Sequence, residues 1–191
     1  LSLFLSVSGS LASAQEQTFS YLDIFELQMA SSPQISPDGA EIVYLRNQFH
    51  KKKDRPYTNL WKISFSGEQH EPLTTGINNI GNVTWSPDGE RIAYTASSEA
   101  DGSTEIFVRW MESGNVASIT NLDRGPSNIR WSPDGKSLTF TMKVPAKKPN
   151  LANIPAPPEG AEWAPPAQVY DHVQYRVDGA GYLEPGHTHI F

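Results

Sequence analysis

Five histidines, at positions 50, 70, 172, 187 and 189, carry most of the chemistry this chain could offer. His187 and His189 alternate in a strand-like run, so both rings project from one face at a spacing able to chelate a metal ion, with Asp171, His172 and Glu184 near enough in sequence to supplement them. Two ligands without an adjacent third make a weak site, and packed or solvated histidines are the expected state. Lys51-Lys52-Lys53, followed by Asp54 and Arg55, reads as a solvated loop between strands, with at most an electrostatic contact to a partner or substrate. Asp101-Gly102 marks a hairpin turn, because the alternating carboxylates of a calcium loop are missing. Cysteine is absent, which excludes disulfides, zinc thiolate sites and thiol nucleophiles. No Gly-rich phosphate cradle occurs, and no G-x-S-x-G run supplies the strained strand-to-helix turn that exposes an activated serine. The expectation for these 191 residues is no catalytic, no cofactor-binding and no metal-ligating residue.

The elements that would position any of these groups follow from composition and repetition. At 191 residues the chain has the length of one domain or part of a larger protein. Lys plus Arg is 15 and Asp plus Glu is 21, so the net charge is −6, and no block of one sign stands apart, which argues against a nucleic-acid partner. With 14 Gly, 15 Pro and 5 Trp the chain is richer in turn residues than a helix bundle, while 38% hydrophobic residues are enough for a core.

Ser-Pro-Asp-Gly occurs three times, at Ser36–Gly39, Ser86–Gly89 and Ser132–Gly135, spaced by 50 and 46 residues. The residue before each Ser is Ile35, Trp85 or Trp131, and the fifth residue after each Gly is Tyr44, Tyr94 or Phe140. Proline fixes φ near −65° at the first central position of a turn, aspartate tolerates the second, and glycine takes the left-handed conformation that closes a type I turn with a bulge. Asp38, Asp88 and Asp134 are therefore turn formers, and Trp85 and Trp131 are expected between neighbouring blades. Copy one continues into Asn59–Phe65 and Glu71–Thr75, and copy two into Glu105–Trp110 and Ala117–Thr120. Four short strands per repeat predict an all-β fold, a partial β-propeller of four-stranded blades with about three blades present, over residues 34–76, 82–122 and 128–191. A β-sandwich would not repeat one turn sequence at a fixed period.

Residues 15–33 are expected to form an N-terminal helical segment: Ser20-Tyr21-Leu22-Asp23 has the form of a capping box, Leu22, Phe25 and Met29 recur with helical spacing, and Pro33 stops the run. Residues 144–167 hold seven of the fifteen prolines and predict an extended insertion in the third blade, with strand patterning resuming at Gln168–Tyr170 and Val173–Val177. Residues 1–14 read as the tail of a secretory signal peptide: a short apolar run leads to Ala12-Ser13-Ala14, too short to span a bilayer. Export to the periplasm or the extracellular space, with a mature start near Gln15, is the expectation.

The run Tyr175-Arg176-Val177-Asp178-Gly179-Ala180-Gly181-Tyr182-Leu183, ending in His189-Ile190-Phe191, resembles the propeller of prolyl oligopeptidase family serine peptidases, in the acylaminoacyl-peptidase and dipeptidyl-peptidase-like branch. The helix leading into a Ser-Pro-Asp-Gly blade, Tyr21–Gly39, is similar too, and the resemblance covers roughly residues 20–191. It implies a parent whose propeller caps a C-terminal α/β-hydrolase domain, in which a Ser-Asp-His triad cleaves short peptides while the propeller restricts entry of large substrates. The implied partners are the peptide substrate and that hydrolase domain, with no cofactor. A TolB-like periplasmic propeller that binds a protein partner is the alternative, because it shares Ser-Pro-Asp-Gly.

Overall fold

The computed structural model describes residues 18–76, 78–97, 102–147, 155–164, 167, 169–171 and 173–191. The expected signal segment, Asp101 and His172 lie outside them.

One turn, used three times, organises the chain. At Ser36–Gly39 the Gly39 amide donates to the Ser36 carbonyl at 2.9 Å, the Ser36 hydroxyl donates to the Asp38 carboxylate, and that carboxylate also accepts the Ala40 amide at 3.0 Å. Ser36 Oγ then accepts the Glu41 amide at 2.9 Å, which fixes where the next strand begins. The same set of bonds recurs at Ser86–Gly89 and Ser132–Gly135. Gly39, Gly89 and Gly135 take φ of +75°, +74° and +68°, a conformation a side chain would strain.

Each turn joins the first two strands of an antiparallel meander. Blade one is β1 (Met29–Ile35), β2 (Glu41–His50), β3 (Arg55–Ser64) and β4 (His70–Pro72), paired in that order. Blade two is β5 (Ile80–Trp85), β6 (Arg91–Ser97), β7 (Thr104–Trp110) and β8 (Val116–Ser118). Blade three pairs β9 (Ser127–Trp131) with β10 (Leu138–Pro145), detours through the two-residue strands β11 (Arg176–Val177) and β12 (Gly181–Tyr182), and returns as β13 (Gly186–Ile190) against β10. The first strands converge, β5 lying against both β1 and β9. Consecutive four-stranded meanders stacked about their first strands are blades of a β-propeller, here an incomplete one whose described residues close no ring.

The core lies between blades. Val43, Leu45 and Leu60 of blade one meet Ile80, Val83, Trp85, Ile92 and Tyr94 of blade two. The other face of blade two places Ala93, Ile106 and Val108 against Ile129, Trp131, Leu138 and Phe140. Neighbouring residues of β6 thus serve opposite interfaces, which is why Ile92–Thr95 are all buried. The tryptophans preceding the second and third turns also carry directional bonds: Trp85 Nε1 donates to the Gln34 carbonyl of blade one at 3.2 Å, and Trp131 Nε1 to the Thr84 carbonyl of blade two at 3.3 Å. Arg109 clasps backwards onto the Leu73 carbonyl, and Arg91 forwards onto that of Gly135.

Two expectations need correcting. The helical segment is a single 3-10 turn, Tyr21–Phe25, with the expected Ser20/Asp23 capping box, whereas Met29–Ile35 is the first strand. The helical spacing of Met29 is overridden because β1 completes blade one: Asn47 holds both the Met29 carbonyl and the Ser31 hydroxyl, and a helix this short is marginal without packing. The insertion is longer than residues 144–167, since Pro145 still pairs with Gly186 and the detour returns only at Pro185. Val173 is fully exposed and only Arg176–Val177 of the expected strand is extended, so β13 supplies the third strand of the blade.

Replacing Trp131 with Phe removes the indole bond while keeping a ring in the interface, and should lower unfolding stability by about 1 kcal/mol in urea titrations of the protein that carries this chain. Acid should act on the turns. The Ser86 hydroxyl, the Glu90 amide and Arg91 hold the Asp88 carboxyl down at about 2, and Ser36 and Ser132 lower those of Asp38 and Asp134. A carboxylate whose folded pKa is depressed contributes stability above its ordinary value and loses it as pH falls through the folded one. The melting midpoint should therefore drop between about pH 4 and pH 2, and Ser86→Ala should make that drop shallower.

Candidate functional site

The meander assigns different jobs to the two ends of the stack. At one end the Ser-Pro-Asp-Gly turns lie on one another: a Cβ on Gly89 would meet the Pro37 ring at 3.5 Å, and one on Gly135 the Pro87 ring at 3.6 Å. Because β10 runs away from its turn, its detour opens at the other end, together with the Lys51–Asp54 tip and the 3-10 turn. Variable loops on a fixed scaffold are where binding groups concentrate.

The detour is closed at its neck by Ala146, whose amide donates to the Pro185 carbonyl at 2.9 Å. Gly186 allows this closure, since its φ is +154° and a Cβ there would lie 2.5 Å from the Val144 carbonyl oxygen. Beyond the neck, β11 and β12 form a small hairpin, Arg176 opposite Tyr182 and Val177 opposite Gly181, with Leu183 donating its amide to the Tyr175 carbonyl at 2.8 Å. Tyr175 and Tyr182 therefore flank one hairpin, and Tyr170 joins them: ring centroids are 5.5 Å apart for Tyr170 and Tyr175, 5.2 Å for Tyr170 and Tyr182, and 6.2 Å for Tyr175 and Tyr182. The Arg176 guanidinium lies over Tyr182 at 5.8 Å.

Between this cluster and the β10/β13 neck is a cleft of about 310 Å³. Tyr170, Tyr175, Leu183 and Pro185 form its apolar wall, while Lys143, Asp171, Glu184 and His187 supply polar groups. Lys143 donates to the Glu184 carbonyl, and the Glu184 carboxylate pairs with Arg124 at 2.8 Å. The cleft is thus a mixed surface with a strong aromatic component and no concentration of one charge.

The candidate ligands separate. His187 and His189 do share one exposed face of β13, and His187, Asp171 and Glu184 line the cleft, but Glu184 is committed to Arg124. Among the described residues no group of three or more His, Asp or Glu is arranged to hold a metal ion. Lys51, Lys52 and Lys53 are exposed on the turn between β2 and β3, where the Lys53 amide donates to His50 Nδ1 and to the His50 carbonyl. Of the proposed hairpin turn at Asp101-Gly102 only Gly102 is described, at φ +73° between the paired β6 and β7.

Sequence reasoning missed two groups. The tyrosine cluster was visible only as a motif, and its signal is Tyr175 and Tyr182 on either side of a Gly-rich turn. The second group lies on the face of blade one turned away from blade two: Tyr44 shares a 2.7 Å hydrogen bond with His70 Nε2, His70 contacts Trp61 at 5.1 Å, and Arg46 stacks over Trp61 at 4.3 Å. A shallower hollow of about 320 Å³ adjoins it, with Tyr57 and Asn59 in its wall. Every one of these residues projects from the face of blade one turned away from blade two.

No family model matches the chain. It is 30% identical over 105 residues to the uncharacterized peptidase YuxL of Bacillus subtilis (strain 168), a match covering 55% of this chain and 16% of that protein. Among solved structures it superposes on an acylaminoacyl peptidase in complex with Z-Gly-Gly-Phe-chloromethyl ketone, with a TM-score of 0.63 and 13% identity over 86% of this chain and 23% of the other. The chain resembles the propeller part of a prolyl oligopeptidase family peptidase. The acylaminoacyl peptidase of Pyrococcus horikoshii gives a TM-score of 0.61 at 13% identity, over 86% of this chain and 22% of that one. At such identity the structures establish the fold, and the relationship to a peptidase comes from the sequence match. The propeller segment spans less than a quarter of each of these proteins.

Because the two β13 histidines lack a third ligand among the described residues, added zinc should leave the melting midpoint of the protein unchanged. A rise abolished by His187→Ala would instead assign a site.

Proposed function

We propose that this chain is the substrate-gating propeller part of an exported serine peptidase that hydrolyses short peptides, the hydrolytic centre residing in an α/β-hydrolase domain of the same polypeptide. The observation that carries the reading is the 30% identity over 105 residues to a peptidase in a chain whose fold is a stack of propeller blades. The 191 residues contain no nucleophile elbow, which accords with a selecting rather than a bond-breaking part. Selection follows from stiffness. Blades joined by an apolar core, tryptophan bonds and arginine clasps admit a short extended chain past their loops more readily than a folded domain. Export is supported by the apolar run ending in Ala12-Ser13-Ala14.

The test uses the full-length protein that carries this chain. It should hydrolyse short peptides but not folded proteins, and a serine-directed phosphonate should label one serine outside residues 1–191. The mature N-terminus should be Gln15. Absence of both hydrolysis and labelling would leave a partner-binding propeller, and an unprocessed cytosolic N-terminus would overturn export.

A further inference from the structure

We propose that the tyrosine-walled cleft of the third blade docks a prolyl or aromatic residue of an extended peptide, at a distance from the bond that is cleaved; the inference rests on the peptidase reading and gives it a substrate class. Tyr170, Tyr175 and Tyr182 are held within 6.2 Å of one another yet remain 38%, 47% and 62% exposed. The β11–β12 hairpin and the Leu183 amide impose the positions of Tyr175 and Tyr182, and Tyr170 packs against both rings, so the cluster is ordered before any ligand arrives. The cleft beside them, at about 310 Å³, is at the small end of ligand sites and fits a short peptide segment.

The surrounding groups narrow the chemistry. A phosphorylated or strongly anionic ligand would need uncommitted cations, but Arg124 pairs with Glu184, Lys143 is tied to the Glu184 carbonyl and Arg176 lies over Tyr182. Stacked phenol rings with Leu183 and Pro185 behind them complement the flat, apolar face of a pyrrolidine or aromatic ring, the pairing that aromatic grooves use for proline-bearing peptides. The site opens at the loop-bearing end of the stack, away from the packed turns, and so can be reached by a chain approaching that end.

The experiment compares two peptides on the full-length protein, identical except for proline or tyrosine against alanine at a position remote from the cleaved bond. The ratio of their kcat/KM values should favour the ring-bearing peptide and should fall by about tenfold in Tyr170→Ala and Tyr175→Ala, the two tyrosines that line the cleft, while Tyr175→Phe, which retains the ring, restores it. An unchanged ratio in correctly folded alanine variants, checked by circular dichroism, would overturn the proposal. If the protein hydrolyses no peptide, the peptidase reading fails by itself, and fluorescence anisotropy with the same two peptides decides this one: tighter binding of the ring-bearing peptide, lost in Tyr175→Ala, supports it, and equal binding overturns it. Binding that emerges only when residues 155–164 are deleted would make the protein's own Pro-rich segment the occupant and would also overturn it.

Discussion

The bond from each turn's serine hydroxyl to the aspartate carboxylate two residues on controls the register of everything that follows it. The serine oxygen is at once donor to the carboxylate and acceptor of the amide five residues along, so turn and second strand are locked as one unit. A slip of one residue would turn Val43 and Leu45, or Ile92 and Tyr94, to the wrong side of their sheet and dissolve an interface. Blade two reinforces its turn most. Arg91 pairs with Asp88 at 2.8 Å, reaches the Gly135 carbonyl of the next blade and stacks over Trp131 at 4.9 Å, so the local bond and the blade-to-blade contact share one side chain.

A second repeated feature lies at the first strands. Ser32, Asn82 and Asn128, each four residues before the turn serine, have φ of 50°, 48° and 51° and sit where the pairing register shifts. Asparagine tolerates this conformation through local hydrogen bonds, and here the bonds also tie blades together: Asn82 Oδ1 accepts the Asn128 amide at 3.2 Å, while the Asn128 side chain donates to Thr141. The bulges let converging first strands twist past one another without losing their partners. The result is a stiff, repetitive stack whose turn end is uniform, leaving the opposite end free to carry a detour of some forty residues without disturbing the blades.

That division bears on the peptidase resemblance. The repeated part of the chain explains the propeller fold, and it would serve equally well in a binding protein; what lies outside the repeat is the detour with its tyrosine cluster and neck. The motif Tyr175–Leu183 was therefore legible as a family mark, whereas its physical meaning was not, because the proximity of Tyr170 to Tyr182 depends on Lys143, Glu184 and Gly186 drawing the neck together. The histidine pair on β13 was legible in both spacing and face. Its surroundings were not, since Glu184 takes Arg124, more than fifty residues earlier, as its partner.

Local chemistry determined the turns, the strand alternation and the blade period, because Ser-Pro-Asp-Gly satisfies its own polar groups within six residues and needs no distant help. It also set the N-terminal cap at Ser20 and Asp23, whose bonds span three residues. Tertiary structure decided where short-range preference was weak or divided. Met29 joined a strand instead of a helix because Asn47 and the edge of β2 offered it hydrogen bonds, and the third strand of blade three came from Gly186–Ile190 because β10 presented an edge that only a chain returning through the neck could reach. The cleft belongs to the same class: it exists where segments remote in sequence meet, and no local pattern encodes a meeting.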